Sequence, residues 1–318
     1  MILVTGGAGF IGSNVVKSLC DSGNDVAVVD NLGSEGKWKN LRDCNIWKFW
    51  QPDEITRALA GGPTGVIHLG AISDTTATNA DEVMKTNFTL SFHIWEWCSQ
   101  HKVPFIYASS AATYGDGSCG FDDNCDLSTL QPMNLYGWSK HLFDRKVTRC
   151  AETARATPPQ WVGLKFFNVY GPRETHKARM ASVCFNQYLA LKRGDQLKLF
   201  KSTVENLPDG EQCRDFVWVG DVVKIIRWFL EHPEQSGLFN VGTGEARSFN
   251  AVAQSLLSNL GLPTHIEYVD MPEMLRDKYQ NFTEAKMQKL RLAGFSDSMC
   301  SVEEGVAQYI EWLKENLL

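Results

Sequence analysis

The chain has nine cysteines but no C-x-x-C pair, and its seven histidines form no close pair. A zinc site needs such pairs, so no metal is expected. Scattered single cysteines read as reduced, mostly structural thiols of a cytoplasmic protein. A long basic run is also missing, and the formal charge is -6. Nucleic acid is therefore a poor partner, because phosphate neutralisation needs clustered Lys and Arg. A small anionic ligand needs only a local positive pocket. No apolar stretch approaches the roughly 20 residues of a membrane-spanning helix. Met1-Ile2-Leu3-Val4-Thr5-Gly6 lacks the charged region and cleavage site of a signal peptide and reads as a strand opening. Internal repeats and low-complexity tracts are absent. What remains is ordinary globular composition, with 43% hydrophobic and 21% charged residues in 318. Trp47, Trp50, Trp95 and Trp97 read as core residues before interface anchors.

The first half alternates short apolar runs with longer helical patterns. Strands are predicted at Ile2–Thr5, Asp25–Asp30, Gly65–Leu69, Pro104–Ser109 and Trp161–Asn168. Helices are predicted near Ile11–Ser22, Pro52–Ala60, Asp81–His101 and Leu135–Thr153. Apolar strands separated by helices of this length predict an α/β fold, a doubly wound parallel sheet of the Rossmann type. After about Tyr170 the rhythm loosens. Helices are predicted at Ala178–Leu191, Asp221–Glu231, Ser248–Leu260 and Ser301–Leu317, with strands at Leu197–Phe200, Leu238–Val241 and Ile266–Val269 and a loop over Lys201–Cys213. The expected organisation is a dinucleotide-binding domain over 1–170 and a smaller C-terminal α/β substrate lobe over 171–318. The chain is free to cross between them in its second half.

Gly6, Gly9 and Gly12 are spaced G-x-x-G-x-x-G between the first strand and the first helix. Glycines there keep the turn tight and let backbone approach a pyrophosphate, which the helix start favours electrostatically. Asp30 ends the second strand, about twenty residues on, where a carboxylate commonly binds the adenosine ribose. An acid at that place favours NAD. Lys37 and Lys39 in the next loop are cations able to hold a 2′-phosphate instead, or simply solvated.

Tyr136-Gly137-Trp138-Ser139-Lys140 gives Y-x-x-x-K, two side chains on one helical face. A nearby ammonium favours tyrosinate and suits the phenol to general-base work. Ser109-Ser110 stands at the end of the fourth predicted strand, where open α/β sheets bind ligands. Each motif alone has an ordinary reading: a glycine turn, a surface pair, a capping serine. The three in this order carry more weight than any one.

Together they resemble the extended short-chain dehydrogenase/reductase family of sugar-nucleotide epimerases and dehydratases. The resemblance extends over Tyr107–Gly115, Phe167–Glu174, His176-Lys177, Met180–Val183, Arg214–Val217, Phe239–Gly244 and Lys278–Thr283. His176-Lys177 and Lys278-Tyr279-Gln280-Asn281-Phe282-Thr283 are similar to the branch that acts on an ADP-activated heptose. The resemblance implies bound NADP, with NAD possible. Gly6, Gly9, Phe10, Ile11, Gly12, Asp30, Asn31, Lys37, Leu69, Gly70, Ala71, Ile72, Ser73, Asn87, Lys140, Val169 and Lys177 would surround it. It implies Tyr136 and Lys177 as the two acid/base residues, with Lys140 and Ser110 completing the catalytic set. Ser110, Asn168, Arg179, Asn186, Phe200, Arg214 and Tyr279 would meet the substrate. The reaction implied is transient oxidation at carbon six and reduction from the other face. A homo-oligomer, a pentamer in that branch, and a place in lipopolysaccharide inner-core precursor synthesis in a Gram-negative bacterium go with it.

Three positions depart from the branch. Asn186 stands where many members have histidine, Arg179 where some have serine, and Pro52 where some carry a lysine near the cofactor phosphate. A 4,6-dehydratase would be expected to place an acidic pair beside the serine, but Ala111 and Ala112 follow Ser110. A UDP-sugar 4-epimerase remains open, as does a cofactor-binding sensor without catalysis, although the intact serine, tyrosine and lysine set argues against the latter.

Overall fold

Seven parallel strands form the central sheet of the computed structural model, which describes residues 1–273 and 280–317. They are β1 Ile2–Thr5, β2 Val26–Val29, β3 Lys48–Trp50, β4 Gly65–His68, β5 Phe105–Ser110, β6 Trp161–Phe166 and β10 Gly237–Val241. Their spatial order is β10-β6-β5-β4-β1-β2-β3. Growth reverses direction between β1 and β4, and the crevice beyond the ends of those strands is where such sheets bind ligands.

Alternation explains the continuous apolar strands. Along β1, Leu3 packs with Ala27, Trp95, Phe105 and Phe143 in one core cluster, while Val4 packs with Val16, Val28, Ile225 and Phe239 in another. Adjacent residues point to opposite faces, so both faces are covered and the strands read as nearly continuous apolar runs. Helices α1 Phe10–Asp21 and α7 Val219–Glu231 pack together on one face. Helices α4 Leu90–His101 and α5 Leu135–Glu152 contribute Trp95, Phe143 and Val147 to the other. Trp95 meets Phe105, Phe143 and Trp161 edge-on at ring separations of 6.0, 6.5 and 5.8 Å. Truncating such an aromatic core residue costs about 3–5 kcal/mol. Trp50 is also buried, whereas Trp47 is 63% exposed.

Three predicted elements are interrupted. The helix over Asp81–His101 is α3 Ala80–Met84, a π-helical turn Lys85–Thr89, and then α4. The wide turn carries Asn87, whose amide is held by groups outside the helix. The strand over Trp161–Asn168 breaks at Phe167, whose N–H still bonds Val241. Asn168–Tyr170 then becomes β7 of a separate three-stranded sheet with β9 Cys213–Trp218 and β11 Ala246–Ser248. The helix over Ala178–Leu191 starts later, as α6 Val183–Lys192, because Ala178 has a φ of 46° and Ser182 caps the Phe185 N–H at 3.2 Å.

Strands β8 Leu197–Phe200 and β12 Ile266–Val269 pair in parallel. With α6, α8 Phe249–Asn259 and the C-terminal helix Val302–Asn316, they enclose a third core around Tyr188, Leu256, Tyr309 and Leu313. Among the described residues no helix is long and apolar enough to cross a membrane.

Candidate active site

The turn after β1 admits no side chain where it is tightest. Gly6 has a φ of 67°, and a Cβ there would stand 2.6 Å from the Gly70 nitrogen. A Cβ on Gly12 would stand 2.1 Å from the Gly6 oxygen. Gly9 caps α1 and donates to Gly6 at 3.0 Å. The first intrahelical bond runs from Ser13 to Gly9, so the N–H groups of Phe10, Ile11 and Gly12 remain at the positive end of the helix. This cradle fits the pyrophosphate of a dinucleotide.

Asp30 leaves β2 beside the cradle. It accepts the Ala8 N–H at 2.8 Å, the Asn31 N–H at 2.7 Å and the Lys37 ammonium at 2.5 Å. Lys37 also donates to the Asn31 carbonyl at 3.1 Å. Pro52 lies in an exposed 3-10 turn.

Leu69 to Ser73 follow β4 and form the opposite wall. Gly70 donates to the Thr5 hydroxyl at 3.2 Å. Asn87 is fully buried, accepts the Ile72 N–H at 2.8 Å and donates to the Ile72 carbonyl at 2.9 Å. Its amide also donates to Ser139 on α5 at 3.0 Å. The resemblance pointed to Asn87 for the cofactor; its hydrogen bonds to Ile72 and Ser139 hold the wall to the helix of Tyr136.

Helix α5 begins at Asn134, which caps the Gly137 N–H at 2.8 Å. Tyr136 and Lys140 then stand one turn apart on one face. Burial raises the phenol's pKa, and a hydrogen bond with Ser110 draws it back. Serine and tyrosine, separate in sequence, therefore meet at the end of β5. Lys140 is 3% exposed and has no hydrogen-bond partner among the described residues. Burial pushes it down to about 8, against the pull of Asp144.

Below these groups lies a buried charge cluster that the sequence reading did not identify. Asp144, one turn beyond Lys140, accepts from Tyr107 at 2.8 Å, Ser109 at 2.7 Å and Lys165 at 2.7 Å. Lys165 also donates to Thr113 at 2.7 Å and lies over the Tyr114 ring. Two signals existed: an acid at i+8 from the tyrosine, and a lone lysine inside the apolar strand β6.

Lys177 lies in the 3-10 turn Thr175–Met180, with its ammonium 5.4 Å from the centre of the Phe10 ring. Burial lowers its pKa and Glu174 opposes that. Glu174 is itself buried and takes hydrogen bonds from Ser182 and from Tyr309 of the C-terminal helix. Thus Lys177 is brought to the cradle by a clamped turn. Burial also pushes His176 down to about 4, aided by Lys37 and Lys177.

The substrate residues are more dispersed. Asn168 is exposed on β7 and pairs in register with Phe216 of β9; half-buried Val169 follows it. Arg214, two residues before Phe216, is buried against the Phe249 ring and donates to the Cys213 carbonyl at 2.8 Å. Phe200 ends β8. Arg179 is largely exposed and lies 3.8 Å from Asp74, just past Ser73. Asn186 bonds the Ala181 carbonyl and borders a shallow depression with Arg193, Lys198 and Glu267. Tyr279 and Lys278 lie outside the described residues. The continuation is described: Asn281 and Thr283 bond the backbone of Cys213, and the Gln280 amide donates to the Gly115 carbonyl. Among the described residues no group of three or more His, Cys, Asp or Glu could hold a metal ion.

A switch-point crevice, a glycine cradle and a Ser-Tyr-Lys set are together the parts of a nicotinamide-dependent redox site. Residues 2–242 match the NAD dependent epimerase/dehydratase family, and the chain belongs to it. It is 44% identical to an ADP-L-glycero-D-manno-heptose-6-epimerase of Fusobacterium nucleatum subsp. nucleatum over 326 aligned residues, covering 98% of this chain and 97% of that one. The crystal structure of the Helicobacter pylori ADP-L-glycero-D-manno-heptose-6-epimerase superposes with a TM-score of 0.82 at 30% identity, covering 98% of this chain and 96% of that one. A Thermus thermophilus UDP-glucose 4-epimerase in complex with NAD superposes with a TM-score of 0.79 at 26% identity, over 99% of both chains.

Proposed function

We propose that this chain interconverts ADP-D-glycero-β-D-manno-heptose and ADP-L-glycero-β-D-manno-heptose by epimerisation at carbon six. The observation that carries the reading is a further, half-buried amine, Lys177, set at the cradle in addition to the Ser110-Tyr136-Lys140 set. A one-direction dehydrogenase needs a single acid/base; inversion through a ketone needs proton transfer in two orientations of the sugar. The 44% identity over nearly the whole chain supports the same substrate.

Gly6, Gly9, Phe10, Ile11 and Gly12 would hold the dinucleotide pyrophosphate. Asp30, Asn31 and Lys37 would hold the adenosine ribose, and Leu69 to Ser73, Asn87, Lys140, Val169 and Lys177 the remainder. Lys37 beside Asp30 supports NADP, because it offsets the carboxylate that would repel a 2′-phosphate. When bound, the nicotinamide supplies reversible two-electron oxidation of the carbinol. Tyr136 takes the proton of the carbon-six hydroxyl, Ser110 donates to its oxygen, and the Lys140 charge favours the tyrosinate. Carbon six is exocyclic, so rotation about one single bond turns the ketone's other face toward the cofactor. Lys177 then gives or takes the proton in that second orientation. Asn168, Arg179, Asn186, Phe200, Arg214 and Tyr279 would hold the sugar and the diphosphate. A cytoplasmic homo-oligomer, a pentamer by resemblance, completes the reading.

The test is proton NMR of the purified protein with ADP-D-glycero-D-manno-heptose. Conversion to the L-glycero epimer without net cofactor reduction is the expected result. No conversion with cofactor bound would overturn it and turn the search to UDP-sugars.

A further inference from the structure

Five buried residues link the glycine turn to the catalytic helix by hydrogen bonds between their side chains, except at Ser91–Asn87, where the bond is to the Asn87 main-chain carbonyl. Thr5 ends β1 directly before Gly6, and its hydroxyl oxygen accepts from Gly70 of the opposite wall at 3.2 Å. The same hydroxyl meets His68 Nδ1 at 2.6 Å, and His68 Nε2 meets the Ser91 hydroxyl at 2.8 Å. Ser91 bonds the Asn87 carbonyl at 2.7 Å, the Asn87 amide bonds Ser139 at 3.0 Å, and Ser139 bonds the Tyr136 carbonyl at 2.7 Å. All five are at most 4% exposed.

The direction of each bond follows from chemistry. A carbonyl only accepts, so the Ser91 proton goes to Asn87 and its oxygen must accept from His68 Nε2–H. The imidazole then has a lone pair at Nδ1, and the Thr5 proton points to it. The ring is thus neutral and in one tautomer, in keeping with burial and the Lys140 charge pushing it down to about 3. Every donor and acceptor along the path has one role. Such a fully satisfied buried network admits a single arrangement. It also accounts for the π-helical turn Lys85–Thr89: Ser91 and Asn87 hold that turn open while the Asn87 amide reaches both Ile72 and Ser139.

We propose that His68 is a positioning residue that fixes the separation between the dinucleotide cradle and Tyr136, acting through Thr5, Ser91, Asn87 and Ser139. It touches neither the reacting atoms nor the cradle backbone. Its kinetic consequence rests on the epimerase reading; its structural consequence does not.

Thr5 offers a test in which packing and hydrogen bonding predict opposite orders. Thr5→Val keeps the shape and loses the hydroxyl; Thr5→Ser loses a methyl and keeps it. The path predicts kcat down about tenfold in Thr5→Val, on the scale of one lost hydrogen bond, with KM near wild type and Thr5→Ser near normal. Ser91→Ala should match Thr5→Val. A packing role alone would make Thr5→Ser the worse variant and would overturn the proposal. Amide hydrogen exchange without substrate is the second readout: Thr5→Val should raise exchange in both 69–73 and 134–140. A rise confined to 69–73 would overturn it as well. If the wild type epimerises no sugar nucleotide, the functional reading fails, and the exchange result still decides the path.

Discussion

Lys37 reaches back over the turn after β2 to place its ammonium 2.5 Å from the Asp30 carboxylate. The acid that would choose between two cofactors therefore carries its own counter-cation. Lys37→Ala should weaken NADP binding by about tenfold or more, the scale of one hydrogen bond to a charged group, while NAD binding changes little. Isothermal titration with each cofactor measures this; an unchanged preference would remove Lys37 from the 2′-phosphate site.

Tyr136→Phe should lower turnover at least about a hundredfold with cofactor still bound, since a placed acid/base contributes about 10²–10⁴-fold. Near-normal turnover would sink its assignment as the base.

Lys177→Met separates the two half-reactions. Epimerisation should fall by a similar factor, while Tyr136-dependent oxidation persists as transient cofactor absorbance in a single turnover. Unaltered kinetics would make Lys177 a structural lysine of its turn.

Lys165→Met strands the Asp144 carboxylate, which is fully buried. Removing one partner of such a pair costs about 3–5 kcal/mol. Adding Asp144→Asn should restore most of the loss, because the stranded charge is gone and the amide can still accept from Tyr107 through its oxygen while its NH2 faces the Ser109 hydroxyl oxygen. Urea unfolding of both variants reads the difference, and equal stability of the two would contradict the account.

His68 is neutral in the folded chain down to about pH 3, against 6.5 for an ordinary histidine. Between those values the unfolded chain binds one proton more, so stability falls as pH drops below about 6.5. The slope from this group is at most about 1.4 kcal/mol per pH unit. His68→Gln should unfold along a pH profile shallower by one proton; an unchanged profile would mean that the ring protonates in place.

The glycine turn, Tyr136, Lys140 and most helices were legible because their physics is local: a strand-turn-helix address, a spacing of four on one helix, a 3.6-residue period. Strand β9 was not, because Arg214 and Asp215 look like loop residues. Their burial depends on Phe249, Thr243 and Ala285, which come later in the chain. The π-helical turn at Asn87 was hidden for the same reason, its cause lying at Ile72 and Ser139. His68 read as one more residue of a buried strand, because its partners come from β1 and α4. Strand β3, three residues long, carries too little pattern to be seen.

The position of β10 bears on how the chain is made. Beside β6, the sheet of the cofactor half has a bare edge until residues 237–241 pair with it. A nascent chain leaving the ribosome must hold that edge open while β7, α6, β8 and β9 are synthesised. An exposed parallel edge is a template for wrong pairing. Release of a fragment ending near Tyr170 would leave Trp161–Phe166 unpaired on one side. Such a fragment should aggregate instead of accumulating as a free cofactor-binding module.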